Sequence, residues 1–194
     1  MVRREILLAL ILFLFLCSCN PKSQAPDEMV FTVNHDLLGE EYSNQDLSFS
    51  FHPPIGWSDM TDYLADETSL IIDVNGQQTT SEILKLYGTE ENKAICSLID
   101  YTAYTLQKDF NIAVDDLITE LSVGKNILKK GSYLYNGFTI RQITSKDDGM
   151  VNIRLLINRN DRDQIFLLDY LIDFNAYSDN LEAIESSIGS ISII

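Results

Sequence analysis

Residues 138–175 read FTIRQITSKDDGMVNIRLLINRNDRDQIFLLDYLIDFN, and the alternation inside this stretch decides the fold. Three runs, Phe138 to Ser145, Met150 to Arg159 and Gln164 to Asn175, bring apolar residues back at every second position. That is the period of a strand, whose side chains point to opposite faces in turn. Lys146-Asp147-Asp148-Gly149 and the region around Asn160-Asp161 supply turn chemistry between them, so the runs join as an antiparallel meander. Val151, Ile153, Leu155 and Ile157 share one face of the middle strand. In the third, Phe166, Leu168, Tyr170, Ile172 and Phe174 share a face, yet Ile165, Leu167 and Leu171 line the other beside Asp169 and Asp173. A strand that is apolar on both faces needs cover on both. The prediction is therefore an α+β fold: an antiparallel β-sheet with helices on both faces, an α/β/α sandwich.

Downstream of the meander, Asp179 with Glu182 three residues on reads as a capping box, and Leu181, Ile184 and Ile188 form the apolar stripe of a final helix. Upstream, Leu47 to Phe51 alternates like a half-buried strand, and His52-Pro53-Pro54-Ile55-Gly56 breaks it, since proline donates no ladder hydrogen bond. Trp57, the only tryptophan, follows. Ser69 to Val74 reads as a further strand closed by Asn75-Gly76. The spacing predicts a helical middle: Ser81 to Tyr87 before Gly88, then Asn92 to Phe110, then Val114 to Val123 with Asp115 and Asp116 in its first turn.

The N-terminus decides location. Arg3 and Arg4 precede an uncharged apolar segment, Ile6 to Leu16, the layout of a secretory signal. Its eleven residues would span roughly 16 Å as a helix, about half a bilayer core. Leu16-Cys17-Ser18-Cys19 is similar to the lipobox of bacterial lipoproteins, with Cys19 at the attachment point. The resemblance implies removal of residues 1–18, lipidation of Cys19, and anchoring in the envelope by more than one acyl chain. Asn20 after the cysteine differs from the usual inner-membrane retention signal, favouring the outer membrane or cell surface. Residues 19–45, with Pro21, Pro26 and scattered acids, read as a flexible tether in which Val30 to Val33 is a possible short strand; the domain then covers 46–194.

Composition narrows the function. The 194-residue chain carries a net charge of −15, and loss of Arg3, Arg4 and Glu5 with the signal takes it to −16. Such a balance opposes nucleic-acid binding, which depends on neutralising phosphates. It suits a basic protein partner or simple solubility. Of three cysteines, Cys17 leaves with the signal and Cys19 is lipidated, so Cys96 stands alone in an apolar stretch, a buried and inert thiol without a disulfide.

Catalytic signatures are scarce. His35 falls in the tether and His52 precedes two prolines; neither sits in metal-ligand spacing, and phosphate-loop and serine-elbow motifs are missing from the sequence. Asn158 to Asp163 superficially resembles a calcium loop, but Arg162 falls on a ligand position and the central glycine is lacking. No cofactor is expected and no enzymatic activity. If the two meander turns span 146–149 and 160–163, Arg141 falls opposite Arg154 and Arg154 opposite Asp169. This is either a structural charge ladder or an anion site. Trp57, Tyr133 and Tyr135 are candidate partner contacts, Tyr133 to Gly137 reading as an exposed turn.

The Phe-Ser-Phe strand at 49–51, the proline-rich break with Trp57, the helical middle, the long meander and the ending Ile184-Glu-Ser-Ser-Ile-Gly-Ser-Ile191 together resemble the PsbP/Mog1-like family over about residues 46–194. That resemblance implies an α/β/α sandwich used mostly for non-enzymatic binding or assembly. The function expected is a lipid-anchored bacterial envelope protein that binds another protein. The alternatives are an acidic lipoprotein that inhibits a basic enzyme, or an enzyme of unrecognised class.

Overall fold

The computed structural model describes residues 27–64, 69–74, 77–91, 93–105, 109–159 and 161–194. In chain order the strands and helices are β1 (Asp27–Glu28), β2 (Tyr42–Asn44), β3 (Phe49–Phe51), β4 (Ser58–Asp59), β5 (Ser69–Val74), β6 (Gln77–Gly88), β7 (Ala94–Asp100), α1 (Thr102–Thr105), α2 (Phe110–Ser122), β8 (Ile127–Tyr135), β9 (Phe138–Asp147), β10 (Met150–Arg159), β11 (Ile165–Asp173), α3 (Tyr177–Gly189) and β12 (Ser192–Ile193). The main sheet runs β1-β8-β9-β10-β11-β7-β6-β4, with β5 also on β6, and every pairing is antiparallel except β1 with β8. A small sheet, β12-β3-β2, lies apart from it.

The predicted α+β sandwich is what forms. On one face Val151, Ile153, Leu155, Ile157, Phe166, Leu168, Tyr170 and Ile172 pack with Phe49 and Phe51 of β3 and with Ile184 and Ile188 of α3. Phe49 and Phe166 meet edge to face with ring centroids 4.5 Å apart. On the other face Leu156, Ile165 and Leu167 pack with Ala113, Val114 and Leu117 of α2 and with Tyr101 and Tyr104. Both faces of β11 are thus covered.

The middle of the chain differs from the helical prediction. Ser81 to Tyr87 belongs to β6, and most of Asn92 to Asp100 to β7; of the helix predicted from Asn92, the short α1 forms at Thr102–Thr105, and the long α2 begins after Asp109, whose carboxylate accepts from the amides of Asn111 and Ile112. A bulge between Ile83 and Lys85 explains the misreading. It sends Ile83 to the α2 face while Tyr87 and half-buried Leu84 reach the other core, so the alternation breaks and mimics helical spacing. In β7, Cys96 and Leu98 enter one core and Ile99 the other, leaving a nearly continuous apolar run with no readable period.

A two-residue turn sets the register of the meander's first hairpin. Asp148 and Gly149 both have positive φ, 51° and 78°, so Asp147 pairs directly with Met150. Such turns match the natural twist of the strands. The four-residue turn predicted at 146–149 therefore gives way, and Arg141 lies opposite Leu156, two residues from its expected partner. Asn136 and Gly137 turn the same way, φ 46° and 81°, between β8 and β9.

Residues 27–45, predicted as the far part of the tether, pack on the domain instead. Met29 N donates to Leu134 O at 3.0 Å, and Phe31 stacks edge to face on Tyr135 at 4.9 Å. The Asn34 amide donates to Ser186 Oγ at 3.2 Å, and β2 pairs with β3. The polar composition of this segment concealed a few apolar anchors spaced far apart. Val30 to Val33 forms no strand. The signal segment and Cys19 lie outside the described residues. At the other end, α3 starts at Tyr177, two residues before the predicted capping box, and its N-cap Ala176 makes no side-chain cap.

Candidate functional site

At the β4/β6 edge of the main sheet, next to β2, the chain forms a cleft of about 520 Å³. Glu40, Glu41, Tyr42 and Ser43 form one wall, Pro53, Trp57 and Asp59 another, and Lys85 and Tyr87 of β6 the third. The proline break puts Trp57 there: after Pro54 the chain turns through Gly56 at φ 78°, and the indole packs inward on Tyr170 with ring centroids 6.2 Å apart. Trp57 and Tyr87 are buried, 9% and 8% exposed, so they give the cleft an aromatic floor and leave its rim to carboxylates.

One ammonium group already sits inside. Lys85 Nζ pairs with Asp59 Oδ2 and lies over the Tyr42 ring, 5.9 Å from its centroid. Asp59 also accepts from Thr61 Oγ1 at 2.6 Å and from the Thr61 amide at 2.9 Å. Burial raises the Asp59 carboxyl, but its hydrogen bonds to Lys85 and Thr61 outweigh this and hold it below its ordinary value. Burial, reinforced by Asp59, pushes the Tyr87 hydroxyl up, so it stays protonated. The cleft therefore presents ionised carboxylates and electron-rich ring faces, the chemistry that holds a cation.

The other sequence candidates lie apart from this cleft. Tyr133 is core, 4% exposed, and burial pushes its hydroxyl up; it lies in β8 and not in an exposed turn. Tyr135 is half-buried, and its hydroxyl donates to Gly189 O at 2.6 Å. Arg154 and Asp169 face each other in the predicted register, Nε to Oδ2 3.5 Å, and Arg154 Nη1 donates to Leu121 O at 3.0 Å. Arg141 is engaged separately, donating to Asn158 Oδ1 at 2.6 Å beside a groove between α2 and β8. The two arginines do not converge on one ligand position. Cys96 is fully buried on β7, and burial drives its thiol well up. Among the described residues no group of three His, Cys, Asp or Glu side chains is placed to hold a metal ion.

Sequence reasoning missed Glu40, Glu41, Tyr42, Asp59, Lys85 and Tyr87. They come from three separate segments, and no local motif links them. The one usable signal was Trp57 directly after the proline break.

No protein-family model and no curated protein matches the chain. Solved structures similar to it include a cyanobacterial PsbP from Synechocystis, 11% identical with a TM-score of 0.49, covering 81% of this chain and 94% of that one. The Ran-binding protein Mog1p of Saccharomyces cerevisiae is 10% identical with a TM-score of 0.42, covering 80% and 96%. LpqN of Mycobacterium tuberculosis, involved in cell envelope biogenesis, is 10% identical with a TM-score of 0.38, covering 80% and 84%.

Proposed function

We propose that this chain is a lipid-anchored bacterial envelope protein, held by Cys19, whose domain binds a basic segment of another protein without catalysing a reaction. The observation that carries the reading is the Lys85 ammonium seated on Asp59 and over Tyr42, which displays the kind of group the cleft accepts. Glu40 and Glu41 on the wall leave negative charge beyond what Lys85 neutralises. The signal-like N-terminus supports the anchor, and the net charge of −15 favours encounter with a basic partner. If that partner is an enzyme, the same contact acts as inhibition.

Affinity capture from detergent-solubilised native membranes tests this, with the full-length protein compared against a Glu40→Gln, Glu41→Gln, Asp59→Asn variant. The expected result is a stoichiometric partner that the variant loses and that high salt releases. A partner retained equally by the variant would overturn the cleft as its site.

A further inference from the structure

The main sheet has two unlike edges. At one lies β8, whose outer side is paired, among the described residues, only at Tyr133 and Leu134, by β1. Lys125, Lys129 and Lys130 are exposed there, and Leu128 is 58% exposed between them. Half of the ten Lys and Arg residues among those described fall between 125 and 146, in a strongly acidic protein. Acids border them (Asp27 and Glu28 of β1, with Asp115, Asp147, Asp148 and Glu185), so this edge is close to neutral. The opposite edge holds the cleft acids together with Asp62, Glu90 and Glu91, against Lys85 and Lys93. Five strand spacings separate β8 from β6, roughly 24 Å.

The backbone fixes which edge is nearer the anchor. Because β1 runs parallel to β8, the direction from Glu28 back to Asp27 points along β8 toward Lys130 and Ile127. Cys19 precedes Asp27 by eight residues, a reach of at most about 28 Å. We propose that the β8 edge, with Lys125, Leu128, Lys129 and Lys130, rests on an anionic bilayer surface, and that the acidic cleft at the opposite edge faces away from it. The inference rests on the lipid anchor proposed above. It follows from charge difference as well as reach: an anionic surface repels the acidic cleft edge more strongly than the near-neutral β8 edge, where the exposed lysines offset the acids. Exposed Leu128 adds apolar contact at the headgroup boundary.

Lysines on an edge strand also block pairing with other strands. Glutamate would preserve that block but not attraction to anionic lipid, so the two roles separate. The test uses the full-length lipidated protein in vesicles of about one part phosphatidylglycerol to two of phosphatidylcholine, carrying nitroxide-labelled lipid. A fluorophore is placed on Leu128→Cys or on Tyr63→Cys, a side chain 82% exposed near the cleft; buried Cys96 does not compete for the label. Severalfold stronger quenching at position 128 than at 63 is expected, and Lys129→Glu with Lys130→Glu should shrink the difference. Equal quenching at the two positions in protein whose intact mass shows the lipid overturns the orientation alone. An N-terminus without lipid overturns the anchor, and the orientation with it.

Discussion

Arg154 on β10 and Asp169 on β11 stand directly opposite each other, and the same guanidinium donates to Leu121 O at the C-terminal turn of α2. One side chain thus ties two strands to the helix that covers them. The pairing is incomplete, since Asp169 Oδ1 has no hydrogen-bond partner among the described residues. Burial pushes the Asp169 carboxyl up to about 6, against the lowering effect of Arg154 and Asn152.

The sign of the resulting pH dependence follows from linkage. An unfolded aspartate titrates near about 4, so the folded protein holds this proton more tightly than the unfolded chain. The stability it contributes is complete below about pH 4 and is lost as pH rises through about 6. Between about pH 7 and 4 this group alone should add about 2 kcal/mol. Denaturant unfolding at a series of pH values should show that rise in the wild type and a smaller one in Asp169→Asn. Identical pH profiles for the two proteins would remove Asp169 from the account.

Ser187, fully buried in α3, shares a hydrogen bond with Tyr170 Oη at 2.9 Å and donates to His52 O. Ser187→Ala should cost about 1–3 kcal/mol, because it removes the hydroxyl that joins the buried Tyr170 Oη to the His52 carbonyl and leaves that carbonyl only a longer contact from Ser190 Oγ at 3.5 Å. Adding Tyr170→Phe should cost less than the sum of the separate changes. Thermal unfolding of the four proteins measures the coupling, and strict additivity would contradict it.

Gly189 closes α3 where the N-terminal segment crosses. A Cβ there would lie 2.8 Å from Phe31 Cβ and 2.8 Å from Val33 Cγ2. In an open helix, alanine would gain about 1 kcal/mol over glycine. Here the clash should reverse that and cost about 1–3 kcal/mol. The expected signature of Gly189→Ala is faster proteolysis within residues 29–34, read by mass spectrometry. Unchanged cleavage would mean that the segment does not depend on this contact.

Trp57 and Asp59 line the same cleft but should respond differently. Trp57→Ala removes a large core side chain and should cost about 3–5 kcal/mol. Asp59 pairs with Lys85 at side-chain exposures of 47% and 26%, so Asp59→Asn should change stability by less than about 1 kcal/mol. Chemical denaturation separates the two. A large loss on Asp59→Asn would recast the ion pair as structural.

Several elements were legible because their pattern is local. The bounds predicted for β10, Met150 to Arg159, are those of the strand, since uninterrupted alternation between two turns leaves little else. Arg154 falls opposite Asp169 as predicted because the second hairpin has the expected register. Arg141 moves because register depends on the turn, and a two-residue turn at Asp148-Gly149 shifts the pairing by two. In β8, Lys129-Lys130-Gly131 hides a strand that lies at the sheet edge, where no apolar face is demanded.

Sequence alone determined the signal-like N-terminus, the acidic balance, the meander and the final amphipathic helix, because each is written in neighbouring residues. Only the tertiary structure decided that Ser81 to Tyr87 is a strand, that residues 27–45 belong to the domain, and that Tyr42, Asp59, Lys85 and Tyr87 share a cleft with Trp57. Those outcomes depend on which segments the sheet brings together, and burial on two faces erases the periodicity that would announce them.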